Sequence, residues 1–480
     1  MLLRTVVSFV LLLAACGPRP TTPSVTPTPS GAAAVEPSPP TTFDPAAIDA
    51  WVGAELTRRG VVGAQLVIVK DGQTVLARNY GAQKKSGAPV ADGTSFAIGS
   101  ITKQFICAAA LALEQDKQLS LGDKVAKYYP KLTRANDITL DDLGSHLSGY
   151  PDFYPLDFLD RRMKQPIEVD ALIEKYGTIA LDFEPRTRWS YSNTGFIVLG
   201  RVIETIAKQP LGTFLQQRIF APAGMQHGSF EPPDDAPGLA QGHAHFALGD
   251  AEPIQREAAH WIHAAGGIYA SADDLARWDL ALVDGKVLGA EALSRLTTSR
   301  KTSDGRNTDY GCGIGVRHQG GELVWSHSGA VSGFLAYNTV VPRTRSAVVL
   351  LVNTEGGSTG ELHGEILGLL LAPPQNVPKV AGPPAAEVAR ALFDQLQAGK
   401  LDRSRIGEEL SVYYDEARLA EAAPRLQALG QPTRVEAGKP RERGGMEVTT
   451  VELVFASRTV KAMLYRTPDG IVQEFLLLHD

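Results

Sequence analysis

The sequence predicts an α+β protein in which one antiparallel sheet is built from both ends of a central region. Two β-rich runs, 64–69 and 74–80, stand near the start of this region and are joined by a turn typical of a hairpin. Helical patterns and loops dominate 119–301. The β-rich pattern then returns in four runs, 310–316, 322–326, 334–341 and 346–352. We therefore expect a sheet lobe and a helical lobe with a ligand cleft between them.

Three helices are expected around this sheet. Asp44-Pro45 is typical of an N-cap followed by proline in the first turn, and the apolar spacing after it predicts a helix that ends near Arg58. An apolar, alanine-rich run predicts a second helix over 100–115, and a third is expected over 361–372. The central region, 44–372, is thus expected to fold as one domain.

A small α+β domain is expected at 386–480. Residues 373–384 contain five prolines and predict a linker that ends near residue 385. A helix over 386–398 is followed by β-rich runs at 446–455, 459–465 and 471–478. This order, with the helix first and the antiparallel strands last, loosely resembles the cone-shaped NTF2-like fold.

The N-terminus predicts export and a lipid anchor. Arg4 precedes a short apolar core, and the core ends in Leu13-Ala14-Ala15-Cys16. This ending resembles the bacterial lipobox, which implies cleavage before Cys16 and lipidation of that residue. Residues 1–16 are thus expected to be a lipoprotein signal peptide, and an ordinary signal peptide with a chance cysteine is the alternative. Residues 17–43 hold eight prolines and predict an extended linker.

Composition excludes several classes of protein. The 480 residues are 44% hydrophobic and carry a net charge of −6, which argues against nucleic acid as a partner. Three cysteines, with Cys16 in the leader, exclude a disulfide scaffold and a cysteine-rich zinc protein. No run after the leader reaches the ~18 apolar residues of a membrane span, so we expect membrane contact through the lipid anchor alone.

A candidate nucleophile lies at the start of the second helix. Ser100-Ile101-Thr102-Lys103 is an S-x-x-K motif, and the i,i+3 spacing places the serine hydroxyl and the lysine amine on one helix face. Serine needs a base beside it, and lysine serves if its pKa is lowered. The motif is short enough to occur by chance once in a chain of this size, so it predicts little alone.

Two further motifs make the pattern specific. Tyr191-Ser192-Asn193 lies in the region of helical patterns and loops, and His327-Ser328-Gly329 stands at the end of a predicted strand. With these, 43–372 resembles the serine β-lactamase and penicillin-recognising family, in its class C-like branch of D-alanyl-D-alanine carboxypeptidases, esterases and aminopeptidases. The segments His146–Gly149 and Ala265–Leu275 add to this resemblance.

The resemblance implies a β-lactamase/transpeptidase-like fold and a role for each motif residue. It implies that Ser100 is acylated, that Lys103 accepts its proton, and that Tyr191 shares the base work and protonates the leaving group. Asn193 would bond Lys103 or the substrate amide. His327, Ser328 and Gly329 would border the substrate, and the backbone N–H groups of Ser100 and Ala330 would form the oxyanion hole. The family often has lysine where this chain has His327, which argues against efficient penicillin hydrolysis.

Three further features of the sequence allow other interpretations: a second serine motif, a group of histidines and a cysteine in the second helix. Gly356–Gly360 matches the G-x-S-x-G elbow of α/β-hydrolases, but no parallel βα series precedes it. A histidine group, His243, His245, His260 and His263, lacks an acidic partner in a recognised spacing, so we expect no metal and no cofactor. Cys107 is expected to be a small buried side chain, with a disulfide to Cys312 as the alternative.

The sequence therefore predicts an acyl-enzyme serine hydrolase in the bacterial envelope, lipid-anchored to the outer membrane and facing the periplasm. A D-Ala-D-Ala carboxypeptidase-like enzyme acting on D-amino-acid or cell-wall peptides, such as a peptidoglycan stem peptide, is favoured. A small-ester esterase or a weak β-lactamase is the alternative. A non-catalytic binding lipoprotein is the alternative of another class, and it would not need the set of Ser100, Lys103, Tyr191 and His327 together.

Overall fold

The structure is a computed structural model, and it describes residues 38–154, 161–247, 249–356, 359–371, 377–438 and 440–478. Residues 39–480 form one compact unit. The predicted signal peptide, Cys16 and most of the first linker lie outside the described residues. Within the described ranges, no helix combines the length and apolarity that crossing a membrane requires.

The helices are listed in chain order. They are α1 Pro45–Arg58, α2 Thr102–Gln115, α3 Leu140–Gly144, α4 Val169–Gly177, α5 Asn193–Ala207, α6 Leu211–Leu215, α7 Ala221–Ala223, α8 His263–Gly266, α9 Ala272–Val283, α10 Ala290–Thr297, α11 Thr359–Leu370, α12 Ala385–Gln397, α13 Glu408–Tyr413 and α14 Glu416–Gln427.

The strands follow in the same order. They are β1 Gly63–Lys70, β2 Gln73–Gly81, β3 Phe96–Ala97, β4 Ser229–Phe230, β5 His243–His245, β6 Ala251–Pro253, β7 Ile268–Ala270, β8 Gly315–Gln319, β9 Glu322–Val331, β10 Phe334–Val341, β11 Ser346–Val352, β12 Arg434–Ala437, β13 Arg441–Arg443, β14 Met446–Val454, β15 Thr459–Arg466 and β16 Val472–Leu478.

The central sheet is antiparallel and joins both ends of the main region, as predicted. Its strand order is β2-β1-β11-β10-β9-β8, with Leu66 of β1 opposite Leu350 of β11. Strand β1 is buried on both faces because helices cover both sides of the sheet. On one side, α1 and α11 pack a core that includes Ile48 and Ile366.

The helical lobe packs on the other side of the sheet. Helix α2 runs through the largest core, and every residue from Thr102 to Leu113 is buried. Its alanine-rich sequence permits this close packing because small side chains let neighbouring elements approach. The helix thereby holds its N-terminus, with Ser100 just before it, against the sheet.

Several element boundaries differ from the prediction, and β9 continues to Val331, beyond the predicted end at Ser326, so that His327 lies inside the strand. The run 310–316 is not one strand, since β8 begins only at Gly315. Residues before it form a turn in which the Gly311 N–H donates to the Ile314 carbonyl and the Cys312 N–H donates to Leu296. Phe43, assigned to the linker, packs against the α1–α11 core.

The C-terminal region forms the expected sheet domain. Strands β12, β14, β15 and β16 make one antiparallel sheet, β13 also pairs with β14, and α12 packs its Phe393 into a separate core. Helices α13 and α14 and the short strands β12 and β13 were not predicted. The NTF2-like resemblance stays a prediction.

Candidate active site

The serine of the S-x-x-K motif sits in a tight turn before α2. Residues Gly99–Ile101 form a single 3₁₀ turn, and Gly99 has φ +49°, which favours glycine. One turn later, the Lys103 Nζ lies 3.0 Å from the Ser100 Oγ. The i,i+3 spacing thus places the two side chains together as the sequence predicts.

Lys103 is fully buried among polar acceptors. Its Nζ donates to the Asn193 Oδ1 at 2.8 Å and to the Ala265 carbonyl at 2.7 Å. Burial lowers the pKa of Lys103 from 10.5 to about 7, while the nearby Asp152 carboxylate acts in the opposite direction. A large fraction of this amine is therefore neutral near pH 7 and able to accept a proton from Ser100.

Tyr191 approaches the same serine from the segment before α5. Its hydroxyl donates to the Ser100 Oγ at 2.7 Å, and its ring centre lies 4.8 Å from the Lys103 Nζ. Two groups that can carry a proton thus meet at one nucleophile. This arrangement permits proton removal during attack and proton delivery to a leaving group.

The backbone of β9 lies directly against the nucleophile turn. A Cβ on Gly329 would be 2.0 Å from the Ile98 carbonyl oxygen and 3.1 Å from the Ser100 N, and one on Gly99 would be 2.8 Å from the Ala330 N. Only glycine allows this approach. It brings the amides of Ser100 and Ala330 into one small region, where the resemblance places the oxyanion hole.

His327 has both ring nitrogens engaged. Its Nδ1 lies 2.6 Å from the Ser328 carbonyl oxygen, which can only accept, so Nδ1 carries the hydrogen. Its Nε2 then accepts from the Tyr310 hydroxyl at 2.8 Å. Burial of the ring, and then the charge of Lys103, lower the pKa of His327 to about 4. The imidazole is therefore neutral at pH 7.

Asp152 is a site residue that the sequence analysis missed. Its Oδ1 accepts from the Asn193 backbone N–H and side-chain Nδ2, both at 3.1 Å, and from the Tyr154 N–H at 3.2 Å. It thereby orients the amide that bonds Lys103. The sequence did offer one signal for Asp152, because this residue lies only three positions after His146–Gly149, a segment that belongs to the family resemblance.

His146 supports Tyr191 from behind. Its Nδ1 accepts from the Ser192 N–H at 3.1 Å, and its ring centre lies 4.3 Å from that of Tyr191. The residue has φ +61°, an uncommon conformation for histidine. Burial, followed by the charges of Lys103 and His327, keeps the pKa of His146 well below its usual value.

These residues open onto a cleft of about 570 Å³. Its described lining contains the acidic Asp152 and no lysine or arginine. Apolar and aromatic side chains form much of the wall, among them Phe153, Tyr154, Ile262 and Val331. The predicted residues Ser100, Tyr191, Asn193, His327, Ser328, Gly329 and Ala330 all line it.

The histidines weighed as a metal site bond to different partners. His243 contacts the Asn353 carbonyl, His245 the Gly249 carbonyl, His260 the Glu231 carboxylate and His263, at 3.9 Å, the Glu204 carboxylate. Among the described residues, no three His, Cys, Asp or Glu side chains are grouped to hold a metal ion. In the G-x-S-x-G match, Gly357 and Ser358 lie outside the described residues.

The expectation for Cys107 was wrong. It forms a disulfide with Cys312, and their Cα atoms lie 5.6 Å apart. The fold presses the turn around Gly313 onto α2, where a Cβ on Gly313 would meet the Lys103 carbonyl oxygen at 2.3 Å. The two cysteines are 205 residues apart in sequence, so this contact is visible only in the tertiary structure.

Several known proteins are similar to this chain in sequence or in fold. A D-aminopeptidase of Brucella anthropi is 27% identical over 77% of this chain and 69% of its own. A D-amino acid amidase from Ochrobactrum anthropi SV3 superposes with a TM-score of 0.58 over 67% of this chain and 98% of its own, at 24% identity. An octameric penicillin-binding protein homologue from Pyrococcus abyssi gives 0.61 over 91% and 100%, at 21% identity.

The two superpositions establish the fold. The second superposition covers 91% of this chain and so extends over most of its length. The family model described as Beta-lactamase matches residues 48–371, which contain every residue of the site described above. The chain is therefore a serine hydrolase that belongs to the Beta-lactamase family.

Proposed function

We propose that this hydrolase cleaves peptides or amides of D-amino acids that carry a free amino terminus, through an acyl-enzyme on Ser100. The observation that carries the proposal is Asp152. Its carboxylate lines the cleft next to the nucleophile, and the described lining holds no lysine or arginine. A substrate ammonium is the natural complement of such a charge.

The named relatives support the same substrate class. The Brucella anthropi protein is a D-aminopeptidase, and the Ochrobactrum anthropi structure is a D-amino acid amidase. Both names describe hydrolysis next to a D-residue. At 27% identity, relatedness favours this class of substrate and leaves the individual substrate to experiment.

The carboxypeptidase favoured by the sequence is the weaker proposal on this geometry. A positively charged group is the natural complement of the terminal carboxylate of a carboxypeptidase substrate. His327 is neutral at pH 7, and Tyr310 and Ser328 already occupy its nitrogens. Lys103 is buried and bonded to Asn193 and Ala265. A positive group for the carboxylate is therefore not evident among the described lining residues.

The proposed chemistry uses side chains and backbone amides. The neutral Lys103 amine accepts the Ser100 proton as Oγ attacks the carbonyl carbon, and the amides of Ser100 and Ala330 stabilise the oxyanion. Tyr191 donates its hydroxyl proton to the leaving amine, and the Lys103 ammonium then reprotonates Tyr191, so that both groups are restored before deacylation. Water then attacks the acyl-enzyme, and the same groups return Ser100 to its starting state.

The test compares matched substrates. D-Alanine p-nitroanilide, its N-acetyl derivative, the L-enantiomer, D-alanyl-D-alanine with an N-acyl group, and p-nitrophenyl acetate are assayed with wild type and Asp152→Asn. We expect the free amine to be preferred over the N-acetyl form by about 10- to 150-fold in kcat/KM, the range of one hydrogen bond to a charged group. Asp152→Asn should abolish most of that preference.

The exposed Asp304, which bonds only near its own turn, provides the control Asp304→Asn. This variant should retain the preference. Preferred cleavage of the N-acylated D-alanyl-D-alanine would favour the carboxypeptidase, and preferred cleavage of the ester would favour the esterase. Either result, or an equal loss on all substrates in Asp152→Asn, contradicts the proposal.

The cellular setting remains a separate proposal. If Cys16 is lipidated as its motif predicts, the hydrolase would be tethered in the bacterial envelope by a proline-rich linker. Substrates there would include D-amino-acid peptides related to peptidoglycan stem peptides.

A further inference from the structure

Glu257 is a buried carboxylate behind the wall of the cleft. The residue is 7% exposed, and its Oε1 accepts from the Tyr154 hydroxyl, from the Ser332 N–H at 3.1 Å and from the Ser332 Oγ at 2.8 Å. Its Oε2 is buried and has no hydrogen-bond partner among the described residues. Burying a carboxylate in this way is costly, so the bonds it makes need an explanation.

The two partners of Glu257 belong to two different segments, of which one lines the cleft and the other follows a strand that lines it. Tyr154 lines the cleft, and its backbone N–H donates to Asp152 at 3.2 Å. Ser332 directly follows β9, the strand that carries Ala330. A single carboxylate oxygen of Glu257 thus connects two parts of the site. One is the segment of Tyr154 and Asp152, the proposed ammonium acceptor, and the other is the end of β9, which carries the predicted oxyanion donor Ala330.

The connection continues to the nucleophile. Asp152 accepts from Asn193 at 3.1 Å, Asn193 accepts from the Lys103 Nζ at 2.8 Å, and Lys103 lies 3.0 Å from the Ser100 Oγ. A displacement at the Glu257 end would therefore reach Asp152 first and the nucleophile last. Substrate binding should suffer before the chemical step does.

We propose that Glu257 is a positioning residue that fixes the segment of Tyr154 against the end of β9 and so determines how tightly the amino end of the substrate is held. That the bound end of the substrate is an amino group rests on the proposed function. Glu257 acts through Tyr154 and Ser332. The expected signature is a change in KM with little change in kcat.

The experiment is a double-mutant cycle on the full chain with D-alanine p-nitroanilide. Glu257→Gln keeps the shape and removes the charge, and Tyr154→Phe removes the hydroxyl donor. Each should raise KM at least about fivefold, the difference between a charged and a neutral hydrogen bond, with kcat within about threefold of wild type. The double variant should be no worse than the more affected single variant, because both changes break the same contact.

Two readouts separate positioning from loss of structure. The rate of labelling of Ser100 by diisopropyl fluorophosphate, a small neutral reagent, should stay within about twofold of wild type in all variants. Glu231→Gln is the matched control. Glu231 holds His260 on the same segment as Glu257, yet neither Tyr154 nor Ser332 is among its hydrogen-bond partners. Its KM should stay near that of wild type.

An unchanged KM in Glu257→Gln, multiplicative losses in the double variant, or a labelling rate that falls as far as kcat/KM would each overturn the proposal. If wild type hydrolyses only N-acylated substrates or esters, the proposed function fails. The same cycle on that substrate then still decides the role of Glu257, since multiplicative changes in KM would refute it and a shared change in KM would support it.

Discussion

Lys103 gives the structure a measurable pH signature. Burial lowers its pKa from 10.5 to about 7, a difference worth about 5 kcal/mol against the charged form. With that value about 10% of the amine is neutral at pH 6 and about 90% at pH 8. If the neutral amine is the base, acylation of Ser100 should rise roughly tenfold between these two pH values and then level off.

The assay is the pseudo-first-order rate of labelling by diisopropyl fluorophosphate, because this reagent does not titrate. A pKa near 7 would ordinarily be assigned to a histidine. Here the pKa of His327 is lowered to about 4 and that of His146 lies well below its usual value. The His327→Gln variant should therefore keep its rise near pH 7, whatever its absolute rate.

Asp152→Asn provides the directional test. The Asp152 carboxylate raises the pKa of Lys103, so removing its charge should move the rise to lower pH. The exposed variant Asp304→Asn should leave the profile in place. A rise centred near pH 4, its disappearance in His327→Gln, or a shift to higher pH in Asp152→Asn would refute the assignment of Lys103 as the base.

Three further predictions concern the nucleophile, the oxyanion region and the anchor. Ser100→Ala should abolish covalent labelling by organophosphates while Ser358→Ala retains it, as intact-mass spectrometry would reveal; labelling lost only in the second variant would contradict the fold-based assignment. Gly329→Ala should lower kcat about 100-fold or more, because its Cβ would lie 2.0 Å from the Ile98 carbonyl oxygen and displace the strand that carries an oxyanion donor; steady-state kinetics showing near-normal kcat would argue against that close approach. Wild type should fractionate with membranes and Cys16→Ser should not, and a Cys16 without acyl groups in the wild type would exclude the lipid anchor.

The local patterns of the sequence were sufficient for the sheet and the central helix. The hairpin at the start of the main region and the β-rich runs at its end have alternating or fully apolar patterns, and such patterns report burial directly. The S-x-x-K pair was equally accessible, because an i,i+3 spacing on a helix is a local geometry. The joint occurrence of the three motifs then identified the family that the match over 48–371 establishes.

Contacts between distant segments were decided only by the tertiary structure. Asp152 meets Asn193, Tyr310 meets His327, and Cys107 meets Cys312, each across 17 to 205 residues. No local periodicity in the sequence predicts such contacts, since they depend on how strands and loops pack around α2. The lowered pKa of Lys103 has the same origin: the sequence motif names the base, but burial in the folded core is what leaves about half of the amine neutral at pH 7.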